Sequence, residues 1–283
     1  MSQSKVIFEH QNWYKGNLHT HSTISDGKKE LRDVIHWYRG QGYDFLAVTD
    51  HNIFYPGESH PDFVVLSGVE MSTHTVGFGM PEMSEIPIGR DQQSEIDLIN
   101  AAKGISIVAH PYWHGLTFAH VESLQGYSGM EIYNSECDYL NGRGYATVFW
   151  DYLLAQGKKV VGVAVDDTHW VRGNAGKGWI CVNGDTLSTE ALLAQIALGK
   201  FYASQGPEFR QIYVEDGQIM VECSPVQRIN FITNAPFGKV VWADASPLEQ
   251  ASYALRPNLS YVRIEIVDER GKIAWSNPIW LRD

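Results

Sequence analysis

The run "KVVGVAVDDTH", residues Lys159–His169, is apolar from Val160 to Val165 and then turns to two aspartates, a threonine and a histidine. It reads as a strand whose C-terminal end carries side chains able to hold a metal or move a proton. The design recurs in "DFLAVTDH" (Asp44–His51), "DFVVLSGVE" (Asp62–Glu70), "GISIVAHP" (Gly104–Pro111) and "GMEIYN" (Gly129–Asn134). Helices are expected between them over Lys29–Gln41, Gln92–Lys103, Gly144–Gln156 and Ser188–Leu198. In the first, Leu31, Val34, Ile35 and Tyr38 recur at helical spacing and should face the core. Strands alternating with helices up to about residue 205 define an α/β domain. Parallel strands joined by helical crossovers gather their C-terminal ends on one face, which is how barrel enzymes assemble an active site from scattered sequence.

Working outward, the same kind of residue stands at each strand end. In "NLHTHSTISDG" (Asn17–Gly27), His19 and His21 are two residues apart, so on an extended segment both imidazoles project from one side. Asp26 follows, and Gly27 suggests a turn that folds the loop back. His51 follows Asp50, Glu70 ends its strand, His74 lies four residues further on, and His110 precedes Pro111. Asp167 and His169 form a second same-side pair. Carboxylates and imidazoles gathered at this density need a compensating charge, which divalent cations supply. A set with no thiolate suits Zn, Mn or Fe.

The motifs "HTHSTISDG", "AVTDHN", "GVE", "AHP" and "DDTH" resemble, in order and approximate spacing, those of the PHP (polymerase and histidinol phosphatase) superfamily of metal-dependent hydrolases. The front "WYKGNLHTHS" and the tail "YVRIEIVDERGKIAWSNPIWL" resemble its carbaryl hydrolase-like branch. The resemblance implies a distorted (β/α)7 TIM-like barrel with up to three metals at the C-terminal strand ends. On matched positions, His19, His21, Glu70 and Asp167 would hold one ion. Glu70, His74 and His110 would hold a second, and Asp26, His51 and His169 a third. Glu70, Asp167 and His169 are the candidate catalytic residues, with His169 or His51 as proton donor to a leaving group. Asp166 should point away from the ligands.

Arg143 and Lys177 are candidate cations for an anionic substrate, and His114 borders the same region. Asn134 and Glu136 are candidate groups behind the ligands. Tyr112, Trp113 and Trp170 could form an aromatic wall. His10, His36, His60 and His120 fit no motif and are read as surface or packing residues.

Beyond about residue 205, stretches such as "RQIYVEDGQIMVECS" alternate apolar and polar residues around the turn signals Asp216-Gly217 and Arg270-Gly271. That predicts a small antiparallel β domain at 206–283, after a hydrolase domain at 1–205. With 283 residues, 44% of them hydrophobic, the chain can build a sizeable core. Its formal charge of −11 argues against tight binding to long nucleic acid. The three scattered cysteines form no disulfide framework, there is no signal-peptide pattern and no membrane-spanning run, and a cytoplasmic location is expected. The oligomeric state is not legible.

The leading expectation is a phosphoesterase that hydrolyses a small phosphorylated metabolite at a di- or trinuclear site, with a hydroxide bridging two metals as nucleophile. The alternative is an ester, carbamate or lactone hydrolase built on the same site. A third reading, a metal-binding scaffold that recognises a partner or glycan through the aromatic-rich β domain, explains the ligand set least well.

Overall fold

The computed structural model describes residues 5–8, 12–83, 86 and 88–282; His10 lies outside them. The fold is mixed α/β. Where the sequence expects helices, they run over Leu31–Gly40, Gln92–Ala101, Thr147–Ala155 and Thr189–Ala197. Two are closed at their start by side chains: Asp91 accepts from the Ser94 N–H and Ser188 from the Ala191 N–H, each satisfying a donor the helix cannot use. Leu31–Gly40 buries Val34, Ile35 and Tyr38, as the helical spacing requires. Short helices at Pro111–His114, Phe118–Ser123 and Ser135–Asn141 add to these.

The strands before residue 205 fall into two sheets rather than one continuous closed one. The first has the order Val161–Val165, Gly129–Asn134, Ile105–Val108, Thr75–Phe78, Gly68–Glu70. In the second, Trp13–Asn17, Phe45–Ala47 and Phe63–Leu66 pair in parallel. Single parallel bridges, Thr20 with Thr168 and His51 with Glu70, join the two sheets beyond the strand ends. Those bridges bring "HTH", "TDH", "GVE" and "DDTH" to one place.

The expectation of parallel strands joined by helical crossovers does not hold throughout. Thr75–Phe78 pairs antiparallel with both of its neighbours. Only residues 71–74 separate it from Gly68–Glu70, too few for a crossover, so the chain must reverse. "DFVVLSGVE" also divides. Phe63–Leu66 lies in one sheet and Gly68–Glu70 in the other, with Ser67 between them donating its hydroxyl to the Met80 carbonyl at 2.6 Å. Gly68 permits the switch because a Cβ there would stand 2.5 Å from the Val48 carbonyl oxygen.

From residue 209 the strands are antiparallel. Phe209–Glu215, Gln218–Val226 and Leu248–Ala254 form a sheet with Lys5–Val6. Its first hairpin turns on Asp216 (φ 48°) and Gly217 (φ 73°), with Glu215 opposite Gln218. Two positive φ values in a two-residue loop match the twist of the flanking strands. The remaining strands extend the larger sheet, where Ile273–Ser276 pairs with Phe201–Ser204. A core containing Phe209, Ile212, Val221, Phe231 and Ile264 is distinct from the one around Trp150, Ile107 and Val163.

Arg263 ties the two regions together. It is 1% exposed, and its Nε and Nη2 donate to the two carboxylate oxygens of Asp151 at 2.6 and 2.7 Å. Its guanidinium also lies over Trp150. Among the described residues, no helix is long and apolar enough to cross a membrane.

Candidate metal centre

His19 and His21 leave the end of the Trp13–Asn17 strand and are both fully buried. Their Nε2 atoms face each other at 3.2 Å. Glu70 Oε2 lies 3.1 Å from the first and 3.3 Å from the second; Asp167 Oδ1 lies 3.2 and 3.0 Å from them. A tetrahedral ion with ligand bonds of about 2.0 Å has ligand–ligand edges of about 3.3 Å. Hydrogen bonding alone does not explain the arrangement, because one ring proton cannot serve three acceptors. The donor set fits a divalent ion.

Two further groups adjoin the first. His74 Nδ1 and His110 Nε2 lie 3.0 and 3.4 Å from Glu70 Oε1, so the two oxygens of Glu70 face different groups. Asp26 Oδ2 lies 3.4 Å from His169 Nε2 and 3.8 Å from His51 Nε2. His21 joins this third group, with Nδ1 3.8 Å from Asp26 Oδ1. That Nδ1 is buried without a hydrogen-bond partner. Asp26 is half exposed, and the third group is the loosest.

The surrounding side chains determine which atoms are free to bind. His19 Nδ1 lies 2.6 Å from Glu131 Oε1, which leaves the Nε2 lone pair for a metal. His169 Nδ1 donates to the Asp167 carbonyl at 3.0 Å, which does the same for its Nε2. Glu131 also accepts from the His110 backbone N–H and from Asn134 Nδ2, both at 2.8 Å. Asn134 Nδ2 reaches Asp167 Oδ2 at 2.9 Å as well.

Asp50 accepts four bonds, from the backbone N–H and hydroxyl of both Ser22 and Ser25, and so shapes the loop that carries Asp26. Neither Glu131 nor Asp50 was singled out from the sequence. The signal for Glu131 was a lone charge between Met130 and Ile132 in a wholly buried strand. Asp166 turns to the other side, accepting from the Tyr38 hydroxyl and from the Gly176, Lys177 and Gly178 N–H groups.

Three of the candidate ligands have left-handed backbone: His74 (φ 61°), His110 (φ 25°) and Asp167 (φ 51°). Each such residue costs on the order of 1–3 kcal/mol, and strain of this kind collects at functional sites. Gly27 does not have positive φ. Its role is close approach, since a Cβ there would lie 2.8 Å from the His21 backbone carbon and the Ser22 nitrogen.

Charge is tightly coupled here. Burial pulls the His19 and His21 imidazoles down, but the Asp167 and Glu70 carboxylates outweigh it, joined at His19 by Glu131. His19 ends well above its ordinary value and His21 rises to about 9. Burial pushes the Glu70 and Asp167 carboxyls up, but the facing histidines hold both below the usual carboxylate range. His51 is lowered, by burial first.

All three groups open on one cleft of about 430 Å³, whose walls include Lys28, Trp113, Glu136, Leu140, Val171 and Arg172. Arg143 and Lys177 are not among its lining residues. Arg143 lies over the Tyr112 ring, and the backbone N–H of Lys177 serves Asp166. His114 packs against His74, ring centroids 4.7 Å apart, also outside the lining. Trp113 faces His110 and His74, whereas Trp170 packs on Trp37 and donates to the His21 carbonyl.

By sequence, the chain matches no protein-family model and no curated protein. Its fold is similar to that of a two-domain protein from Bacteroides vulgatus containing a predicted PHP-like metal-dependent phosphoesterase. The TM-score is 0.57 at 10% identity, over 95% of both chains. An amidohydrolase from Chromobacterium violaceum aligns with 66% of this chain and 96% of its own at 15% identity, with a TM-score of 0.43, too low to carry an argument.

Proposed function

We propose, on the premise of this shared PHP-like fold, that the chain is a metal-dependent phosphoesterase acting on a small phosphorylated molecule. The observation that carries the reading is the convergence of three overlapping imidazole–carboxylate groups on the floor of one cleft, with Lys28 and Arg172 in its walls. We assign His19, His21, Glu70 and Asp167 to one ion, Glu70, His74 and His110 to a second, and Asp26, His51 and His169 to a third. Zn, Mn and Fe all suit these donors. Two or three bound ions would acidify water and neutralise charge developing on phosphoryl oxygens.

The chain's own residues do the rest. Glu131 and Asn134 hold His19, His110 and Asp167 in orientation. Lys28 draws an anion into the cleft of an otherwise acidic protein, while Arg172 is paired with Glu136 and keeps further N–H groups to offer. Trp113 offers a flat apolar wall beside His110. The two sheets are read as parts of one distorted barrel, with 206–283 as a small β domain packed on it.

Trp113, Leu140 and Val171 favour a second reading, hydrolysis of a neutral ester, carbamate or lactone, as in the carbaryl hydrolase-like branch. Metal analysis with p-nitrophenyl phosphate and p-nitrophenyl acetate assayed side by side separates the two. Two to three bound metals, and phosphate turnover lost in Glu70→Gln, are expected. Acetate turnover alone would transfer the assignment to the second reading.

A further inference from the structure

Glu136 belongs to none of the three candidate metal-binding groups, yet it lines the same cleft. It is 6% exposed. Its backbone N–H donates to the Asp166 carbonyl at 3.0 Å, so its position is set by the main chain. Oε1 accepts from Arg172 Nη1, while Oε2 is buried with no partner. A buried carboxylate oxygen left without a donor is unfavourable, and because Glu136 lines the cleft, a turn of its carboxylate would bring this oxygen to a donor that arrives with the ligand. Arg172 already balances the carboxylate charge, so the missing donor is neutral rather than a second cation. Arg172 in turn is only partly covered, at 37% side-chain exposure, and the guanidinium has further N–H groups to offer.

We infer that the Glu136–Arg172 pair recognises a vicinal diol on the alcohol part of the substrate. One hydroxyl donates to Glu136 Oε2, and the oxygen of its neighbour accepts from an Arg172 N–H. Adjacent hydroxyls present a donor and an acceptor at the spacing of a paired carboxylate and guanidinium. A sugar ring also has an apolar face, which Trp113 in the same cleft accommodates. The substrate class is therefore a phosphomonoester of a sugar, either free or as part of a nucleoside. This rests on the phosphoesterase reading above.

The test compares ribose 5-phosphate with 2-deoxyribose 5-phosphate on the metal-loaded protein, because the pair differs by one hydroxyl. kcat/KM should favour the ribose compound by roughly 10- to 100-fold. Glu136→Gln should bring that ratio to within about threefold of unity, and should raise the inhibition constant of free ribose by a similar factor to the lost preference. Adenosine 5′-monophosphate carries the same diol; whether it or ribose 5-phosphate is cleaved faster tells a nucleoside source from a free sugar, and either supports the inference.

A wild-type ratio near one overturns the inference without any variant, as does a ratio that persists in Glu136→Gln. If p-nitrophenyl phosphate and both sugar phosphates are hydrolysed equally well, the phosphoesterase reading stands and only the diol assignment falls. If no phosphate is cleaved while p-nitrophenyl acetate is, both fall together.

Discussion

At the scale of single residues, protons and metal ions compete for the same atoms. His19 and His21 have raised affinity for protons, His21 to about 9. In the metal-free chain both rings hold a proton more tightly than an ordinary imidazole, and a metal ion must displace protons from the pair. Metal affinity should fall as pH drops, by up to about tenfold per pH unit for each proton displaced. For the metal-free chain the sign is opposite. The histidine contribution to stability is fully present below the unfolded value of about 6.5, and for His21 it is lost as pH rises through about 9. Glu70 and Asp167 have depressed values, so their contribution is present above their unfolded values of about 4 and is lost in acid. The rise in melting temperature on adding Zn or Mn should thus be larger near pH 8.5 than near pH 6. Melts with and without a chelator at the two pH values check this; a rise that shrinks with pH would count against ligation through these rings. Glu131→Gln tests the support behind the rings. It should keep the fold and weaken metal binding by about 10- to 100-fold, read by metal titration.

At the scale of elements, the loop Ser22–Gly27 is shaped as much by what it lacks as by what it contains. Four bonds to Asp50 curl it, and the missing Cβ of Gly27 lets it close onto the His21 backbone. Gly27→Ala puts a carbon against main chain that cannot swing aside. We expect a loss of about 1–3 kcal/mol in denaturant unfolding, together with loss of the most weakly held ion, the one assigned to Asp26, His51 and His169. Unchanged stability and unchanged metal content in Gly27→Ala would show that the loop relaxes freely. The same logic explains Gly68, where the chain passes from one sheet to the other beside the Val48 carbonyl.

At the scale of the whole molecule, the C-terminal strands are fastened to the Thr147–Ala155 helix through a buried charge. Arg263 is enclosed while Asp151 remains partly open to solvent, with 36% of its side chain exposed. Removing the acid leaves a guanidinium in the interior with Glu265 as its remaining acidic partner among the described residues. Asp151→Ala should cost about 2 kcal/mol, below the usual 3–5 for breaking a buried pair because Glu265 and solvent compensate in part. Unfolding followed at once by near-UV signal and by metal release would show whether the two regions separate. Coincident transitions that shift together are expected if Arg263 makes them one cooperative unit.

The sequence by itself determined which elements end in imidazoles and carboxylates. Alternating strands and helices, the Asp216-Gly217 hairpin and the polar strand ends were all readable, because periodicity and turn preference are local properties of the chain. Which ligands face which was not readable from the residues alone; their grouping entered through the family resemblance. That His21 adjoins two groups, that Glu70 presents one oxygen to each of two, and that Glu131 and Asp50 hold the set in place depend on residues far apart in the chain, 146 positions in the case of His21 and Asp167. The cations of the cleft likewise followed tertiary placement: Lys28 and Arg172 line it, while Arg143 and Lys177 do not. The antiparallel turn of Thr75–Phe78 and the left-handed backbone at His74, His110 and Asp167 also belong to the tertiary structure. Local preference disfavours such conformations, and only the packing and hydrogen bonds of the finished fold hold residues in them.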